Sequence, residues 1–325
     1  MEKLQALCVL SDSHGRLNPE ELTHVIEEAP DPSSAVSTIL NYLPGHSEVL
    51  GRTWRKVVFD LWSEQHPHIP LLLDLPITST EVLDVPAIQD ALYALRQFSR
   101  HPGQLQREGS EWLLTPDDAY DLASNLPSRR GHPLIPLENE WQSLRLRRLR
   151  TTLQALRLLR RQQEQLVVVK SRYQRFLELP ASQQYYLLWH TDVYHTNWAQ
   201  FGSIWGEYLN VIQACVPLLW DLSEAALPNV SYHIRRWNQD IWDTFAPLWD
   251  HEGLLSRRQP DSILLSFVRT QSVPYAVTQV VMRDLLEHYG LVVNEGEHYH
   301  WTPLGTRLTA AERTQEMPCA LDLLK

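Results

Sequence analysis

The chain has 325 residues, 43% of them hydrophobic and 21% charged, and a formal net charge of −10. That length supports two to four domains, the composition is that of an ordinary globular chain and not of a disordered one, and no apolar run approaches the roughly 18 residues a membrane span requires. Cys8, Cys215 and Cys319 lie far apart without metal-ligand or disulfide spacing, and Met1-Glu2-Lys3-Leu4-Gln5 does not open a signal peptide. The expectation is a soluble, cytoplasmic protein with no membrane partner.

In chain order, Leu4, Ala6, Leu7 and Leu10 predict an opening helix. Asn18-Pro19-Glu20-Glu21 predicts the capped start of a second, because Asn suits the N-cap and Pro the first helical position. Asp31-Pro32 starts a third, running to Leu43. Between the first two, Asp12-Ser13-His14-Gly15 resembles the D-x-H-G opening of metallophosphoesterases. The Asn-His-Asp/Glu phrase which that family also needs does not occur, and a turn before Asn18 accounts for the same residues.

From residue 85 onward one order of elements recurs three times: amphipathic helix, β-like segment, turn, β-like segment, helix start. In the first copy Ile88, Ala91, Leu92, Leu95 and Phe98 mark the helix. Gln104-Leu105-Gln106 follows, then the turn 107–110, then Glu111-Trp112-Leu113-Leu114-Thr115-Pro116. Asp117 and Asp118 suit the first turn of the next helix. The second copy has a helix from Leu144 to Arg161, a β segment at Gln165–Val169 and a continuation from Lys170 to Leu177. It lacks a turn glycine, so its first strand is expected to be short or missing. Residues 181–252 between the second and third copies predict several helices punctuated by Pro217, Pro228 and Pro247, and hold seven tryptophans. The third copy, residues 257–312, has a helix through Val277, Val280, Val281, Leu285 and Leu286 that ends at Tyr289-Gly290. Strands Leu291-Val292-Val293 and His298–Trp301 flank a turn at 294–297.

Trp301-Thr302-Pro303-Leu304-Gly305-Thr306-Arg307-Leu308 resembles the L-T-P-x-G-x-x-L phrase that closes the wing of many bacterial winged-helix DNA-binding domains. The resemblance covers about 40 residues of the third copy; the first two copies lack its glycine. It implies a mainly α protein with small β-wings, in which tandem winged-helix modules flank a Trp-rich helical domain. The expected division is 1–128, an N-terminal helical and winged region; 129–180, a basic central winged module; 181–252, the Trp-rich helices; and 253–325, the C-terminal winged domain.

The charge is unevenly placed. Residues 129–176 hold 12 Lys and Arg against three acids, whereas 1–128 and 177–325 are net −11 and −8. Arg145, Arg147, Arg148, Arg150, Arg157, Arg160 and Arg161 share the predicted second-copy helix with Leu146, Leu149, Leu153 and Leu156. The leucines can seat the helix while the arginines face outward, where a winged module carries its recognition helix. Lys170, Arg172 and Arg175 would follow at or just past the wing, near adjacent phosphates. These ten residues are the candidate nucleic-acid contacts, with duplex DNA as the partner. The competing account pairs the arginines with the acidic arms, within the chain, with a partner protein or in self-association.

Other constellations carry less. His190, Asp192 and His195 form H-x-D-x-x-H, but on a helix His190 and Asp192 point about 200° apart, which suits hydrogen bonding among aromatics better than one ion. His298 and His300 share one face of a strand and supply only two ligands. The tryptophans sit in apolar helical patterns and predict core, with Arg235-Arg236-Trp237 as the exception, where charges can flank a surface ring. No phosphate-cradling glycine loop or nucleophile elbow occurs. No catalytic or metal-ligating residue and no cofactor is therefore assigned, and the expected function is DNA binding, with a protein scaffold as the competing one.

Overall fold

The computed structural model describes residues 18–29, 76–109, 111–129, 140–201, 205–224, 226–252, 254–255 and 273–314, with single positions at 8, 35, 38, 39, 54, 57, 58, 61 and 137. The phrase at 12–15 and residues 257–272 lie outside the described residues. So, apart from single positions, do the helices expected at 4–10 and 31–43. The described chain is mainly helical with small antiparallel sheets. It divides into two compact units.

The first unit comprises Met1–Pro76, Asn197–Glu287 and Leu291–Cys319. Helix α1 (Pro19–Glu28) starts where the Asn18 side chain accepts the Glu20 N–H at 3.0 Å. Its Leu22 and Ile26 are buried in a cluster with Ile39, Trp54, Val57 and Val58.

The second unit, Ile77–Thr196 with His288–Gly290 and Ala320–Lys325, holds the first two copies of the repeat. Helix α2 (Ser79–Val82) is opened by Glu81, whose carboxylate accepts the Thr78 N–H at 2.8 Å. Helix α3 (Pro86–Arg100) buries Ile88, Ala91, Leu95 and Phe98 along one stripe. Each large side chain removed from water there contributes roughly 1.5–3 kcal/mol. Strands β1 (Gly103–Glu108) and β2 (Glu111–Leu114) form the first hairpin, and α4 (Pro116–Asn125) closes the copy.

The second copy is α5 (Leu144–Ala155), β3 (Leu159–Gln162), β4 (Gln165–Val168) and α6 (Lys170–Glu178). Its helix ends six residues before Arg161, and its first strand is complete. Both points correct the sequence expectation. The backbone turns at Arg157, whose φ of 56° lies in the left-handed region, and Leu158 N–H then reaches back to the Leu153 carbonyl at 2.9 Å. Strands β1 and β4 pair antiparallel at Gly103–Leu166 and Gln104–Gln165, so the two hairpins join into one four-stranded sheet of order β2-β1-β4-β3. Helix α7 (Ala181–Tyr194) follows, buried along Gln184–Val193.

Returning to the first unit, α8 (Gly206–Ala214), α9 (Val216–Asp221) and α10 (Ile234–His251) carry much of the tryptophan core. Trp198, Trp220 and Trp249 are fully buried. Trp237, the suggested surface ring, is 2% exposed while Arg235 and Arg236 face solvent. Strand β5 (Ser231–His233) precedes α10, and α11 (Val273–Val277) runs on as a π-helix over Thr278–Glu287. The third hairpin, β6 (Val292–Glu295) and β7 (His298–Trp301), leads into α12 (Pro303–Thr314) and forms a sheet of order β5-β7-β6.

The three copies agree in detail. Each hairpin has a two-residue loop whose first residue is left-handed: Gly109 at φ 61°, Gln163 at 57° and Gly296 at 74°. Each closes with the same backbone bond of 2.9 Å, from Thr115 to Gln104, Val169 to Leu158 and Thr302 to Leu291. A side chain in the left-handed region costs about 1–2 kcal/mol that glycine avoids, less what glycine loses in unfolded-state entropy. Gln163→Gly is therefore expected to stabilise the second copy by about 0.5–1 kcal/mol in urea denaturation. A destabilised variant would remove the strain argument.

Candidate nucleic-acid interface

Helix α5 sits under its neighbours instead of on the surface. None of its twelve residues is exposed, and Arg147, Arg148 and Arg150 are only 2%, 2% and 8% accessible. Their outward orientation, expected from the leucine spacing, is corrected by the acids they meet. Arg147 Nη2 donates to Glu111 Oε2 on β2 at 3.1 Å, and its guanidinium stacks 3.3 Å from the Trp141 ring centre. Arg148 Nε donates to both Asp192 oxygens on α7, at 2.8 and 2.9 Å. Arg150 reaches Glu140 Oε1 at 2.6 Å and Gln154 Oε1 at 2.6 Å. The other Glu140 oxygen accepts the Leu114 N–H at 2.9 Å, which ties α5 to the first hairpin. Arg145 is half-buried and donates to Ser128 Oγ at 3.3 Å.

Burial raises the Asp192 carboxyl above its ordinary range, and Arg148 beside it pulls in the opposite direction. Burial likewise lowers Arg147, while Glu111 and Glu140 act against it. Desolvated charges of this kind are tolerable only when paired, so the network fixes how α5, β2 and α7 fit together. Asp192, one third of the H-x-D-x-x-H phrase, is thus engaged by Arg148. Among the described residues, no group of three His, Cys, Asp or Glu is placed to hold a metal ion.

A second buried pair adjoins it. His288 Nε2 lies 3.8 Å from Asp90 Oδ2, whose carboxylate also accepts Ser128 N–H at 2.9 Å and Ser128 Oγ–H at 2.6 Å. Burial pushes the His288 imidazole well below its ordinary range, with Arg145 and Arg148 adding to the shift. A depressed histidine leaves the folded state binding fewer protons than the unfolded one. Its contribution is therefore intact above about pH 6.5 and is lost as pH falls below that, at up to about 1.4 kcal/mol per pH unit. Thermal midpoints are expected to drop between pH 7.5 and 5.5, and less steeply in His288→Leu. Equal slopes in the two proteins would exclude His288 as the cause.

The remaining six candidates lie on the surface or at its edge. Arg157, Arg160, Arg161, Lys170 and Arg175 are exposed, and Arg172 is half-buried. Arg157 sits at the left-handed end of α5, Arg160 and Arg161 on β3, and Lys170, Arg172 and Arg175 on α6. Arg161 lies 4.6 Å over the Trp112 ring. Burial lowers Arg172, and the nearby Arg157 and Arg175 cations lower it further, so these three guanidiniums share one field. Within 157–178 only Glu164 and Glu178 oppose the six.

The other copies show what the module itself requires at these places. Aligned on the hairpin loop, Arg157 stands where the first and third copies have Gly103 and Gly290, and Lys170 where they have Pro116 and Pro303. Arg172 replaces Asp118 and Gly305; Arg175 replaces Asp121 and Leu308; Arg160 replaces Gln106 and Val293. Arg161 alone has a basic counterpart, Arg107, opposite Asn294. The same helix–hairpin–helix therefore forms with one of these six cations in the first copy and with none in the third. At Arg157 the cation takes a backbone conformation that favours glycine, as Gly290 shows with φ 70°. No protein-family model matches the chain, and no curated protein or solved structure matches it at a significant level.

Proposed function

We propose that the protein binds nucleic acid, with duplex DNA as the preferred form, through the cationic face of its second helix–hairpin–helix. Arg157, Arg160, Arg161, Lys170, Arg172 and Arg175 make the contact. Arg147, Arg148 and Arg150, inside the protein, hold the module in shape. The carrying observation is that five of the six replace residues that are neutral or acidic in both sister copies. Fold maintenance does not call for them, and one sits against a backbone preference. Cations in that density on and beside a hairpin suit phosphate oxygens, whose condensed counterions are released on binding. The winged-helix reading of the modules is part of this proposal, supported by the three equivalent hairpins and the Thr302-Pro303-Leu304-Gly305 phrase.

The chain has four lysines, Lys3, Lys56, Lys170 and Lys325, which allows a direct test. A duplex carrying an abasic aldehyde condenses with a neighbouring lysine Nζ, losing water, and borohydride reduces the imine to a stable amine. Peptide mapping is expected to find the adduct mainly at Lys170. Adducts confined to Lys3, Lys56, Lys325 or the terminal amine, or none at all, would overturn the placement.

A second reading is favoured by the first copy. At the α4 positions equivalent to the α6 cations, that copy has the exposed Asp121 and the half-buried Asp118, whose carboxylate accepts the Gln104 N–H, with the exposed Asp117 beside them. One chain thus carries an acidic and a basic version of the same surface, which suits association with another copy or a scaffold role toward partner proteins. Light scattering at low and high salt is the check. A monomer under both conditions removes charge-driven self-association.

A further inference from the structure

Resting on the nucleic-acid reading above, we infer that the protein grips the sugar–phosphate backbone without regard to base sequence. Sequence reading in the major groove needs an element that can enter it and present side chains to base edges. In the second copy the helix preceding the hairpin would be that element, and it is closed: no residue of α5 is exposed, Arg147, Arg148 and Arg150 are held by Glu111, Asp192 and Glu140, and the half-buried Arg145 donates to Ser128. An arginine already paired and buried cannot form the bidentate contact with guanine that carries most direct readout.

The cations that remain are spread over three kinds of position: a helix end, an edge strand and the length of α6. Such a spread follows a line of phosphates better than it follows the edge of a base pair. Within residues 157–178 the exposed amides are Gln162, Gln163 and Gln165 at the hairpin tip and Gln174 on α6. Glu164 lies within the tip and Glu178 ends α6, and both carboxylates repel close approach to a phosphate-lined groove.

The test is fluorescence anisotropy of the full chain with three duplexes of equal length: A·T-rich, G·C-rich and mixed. Dissociation constants within about three-fold of one another are expected at one salt concentration. A second arm replaces Arg157, Arg160, Arg161, Arg172 and Arg175 by Lys, which keeps the charge but removes the planar fork. Affinity within about three-fold of the parent supports backbone contact. A preference above ten-fold for one duplex, or a loss above ten-fold in the lysine variant, overturns the inference while leaving binding itself intact. Absence of binding to all three duplexes instead overturns the nucleic-acid reading, and the inference falls with it.

Discussion

Arg148→Met is expected to lower the unfolding free energy by about 3–5 kcal/mol. Methionine roughly fills the volume, so the cost is electrostatic. Asp192 is left fully buried with its principal cation gone, and its carboxylate is already raised by burial. Adding Asp192→Leu removes the stranded charge and is expected to recover most of the loss, because an apolar replacement of a whole buried pair is often neutral. An exposed control, Arg160→Gln, should stay within about 0.5 kcal/mol of the parent. Urea midpoints followed by circular dichroism separate the cases. A loss under about 1 kcal/mol in Arg148→Met would mean that the network is not what secures α5.

The second large effect is on binding. Replacing Arg157, Arg160, Arg161, Lys170, Arg172 and Arg175 together by Gln is expected to weaken duplex affinity about 100-fold at 0.1 M salt. The figure assumes about 0.5 kcal/mol retained per screened phosphate contact, with 1.4 kcal/mol for each factor of ten. All six lie at or near the surface and none is placed in the buried network, so the variant should fold as the parent does. Arg235→Gln with Arg236→Gln, equally exposed on α10, should change affinity less than about two-fold. Losses of similar size in both variants would assign the binding to overall charge and not to this face.

How far the fold could be read from residues differs between the copies. The first and third hairpins were legible because Gly109 and Gly296 mark their loops and Thr-Pro opens the helix after each. The second hairpin uses the same backbone with Gln163 in the loop and Arg157 at the helix end. Neither residue type signals a left-handed turn, so the helical pattern reads on to Arg161 and the first strand reads as short or missing. The pairing of β1 with β4, which joins two copies in one sheet, has no local signature at all.

The candidate site divides along the same line. The concentration of positive charge was visible in composition, but its orientation was not. The acids that draw Arg147 and Arg148 inward lie 36 and 44 residues away in sequence, so no helical periodicity reveals them. Glu140, ten residues before Arg150, was the nearest available sign. The sister copies carry neutral or acidic residues at five of the six surface cations, which separates those cations from the ones the module itself needs.

On the proposed reading the surface cations of the second copy, and not the arginines of α5, hold a polyanion. The salt dependence of duplex binding distinguishes the two. With up to six phosphates neutralised, the slope of log K against log salt is predicted to be about −4 to −5, falling toward zero in the six-fold Gln variant. A parent slope between zero and −1, or the same steep slope in parent and variant, would contradict the account.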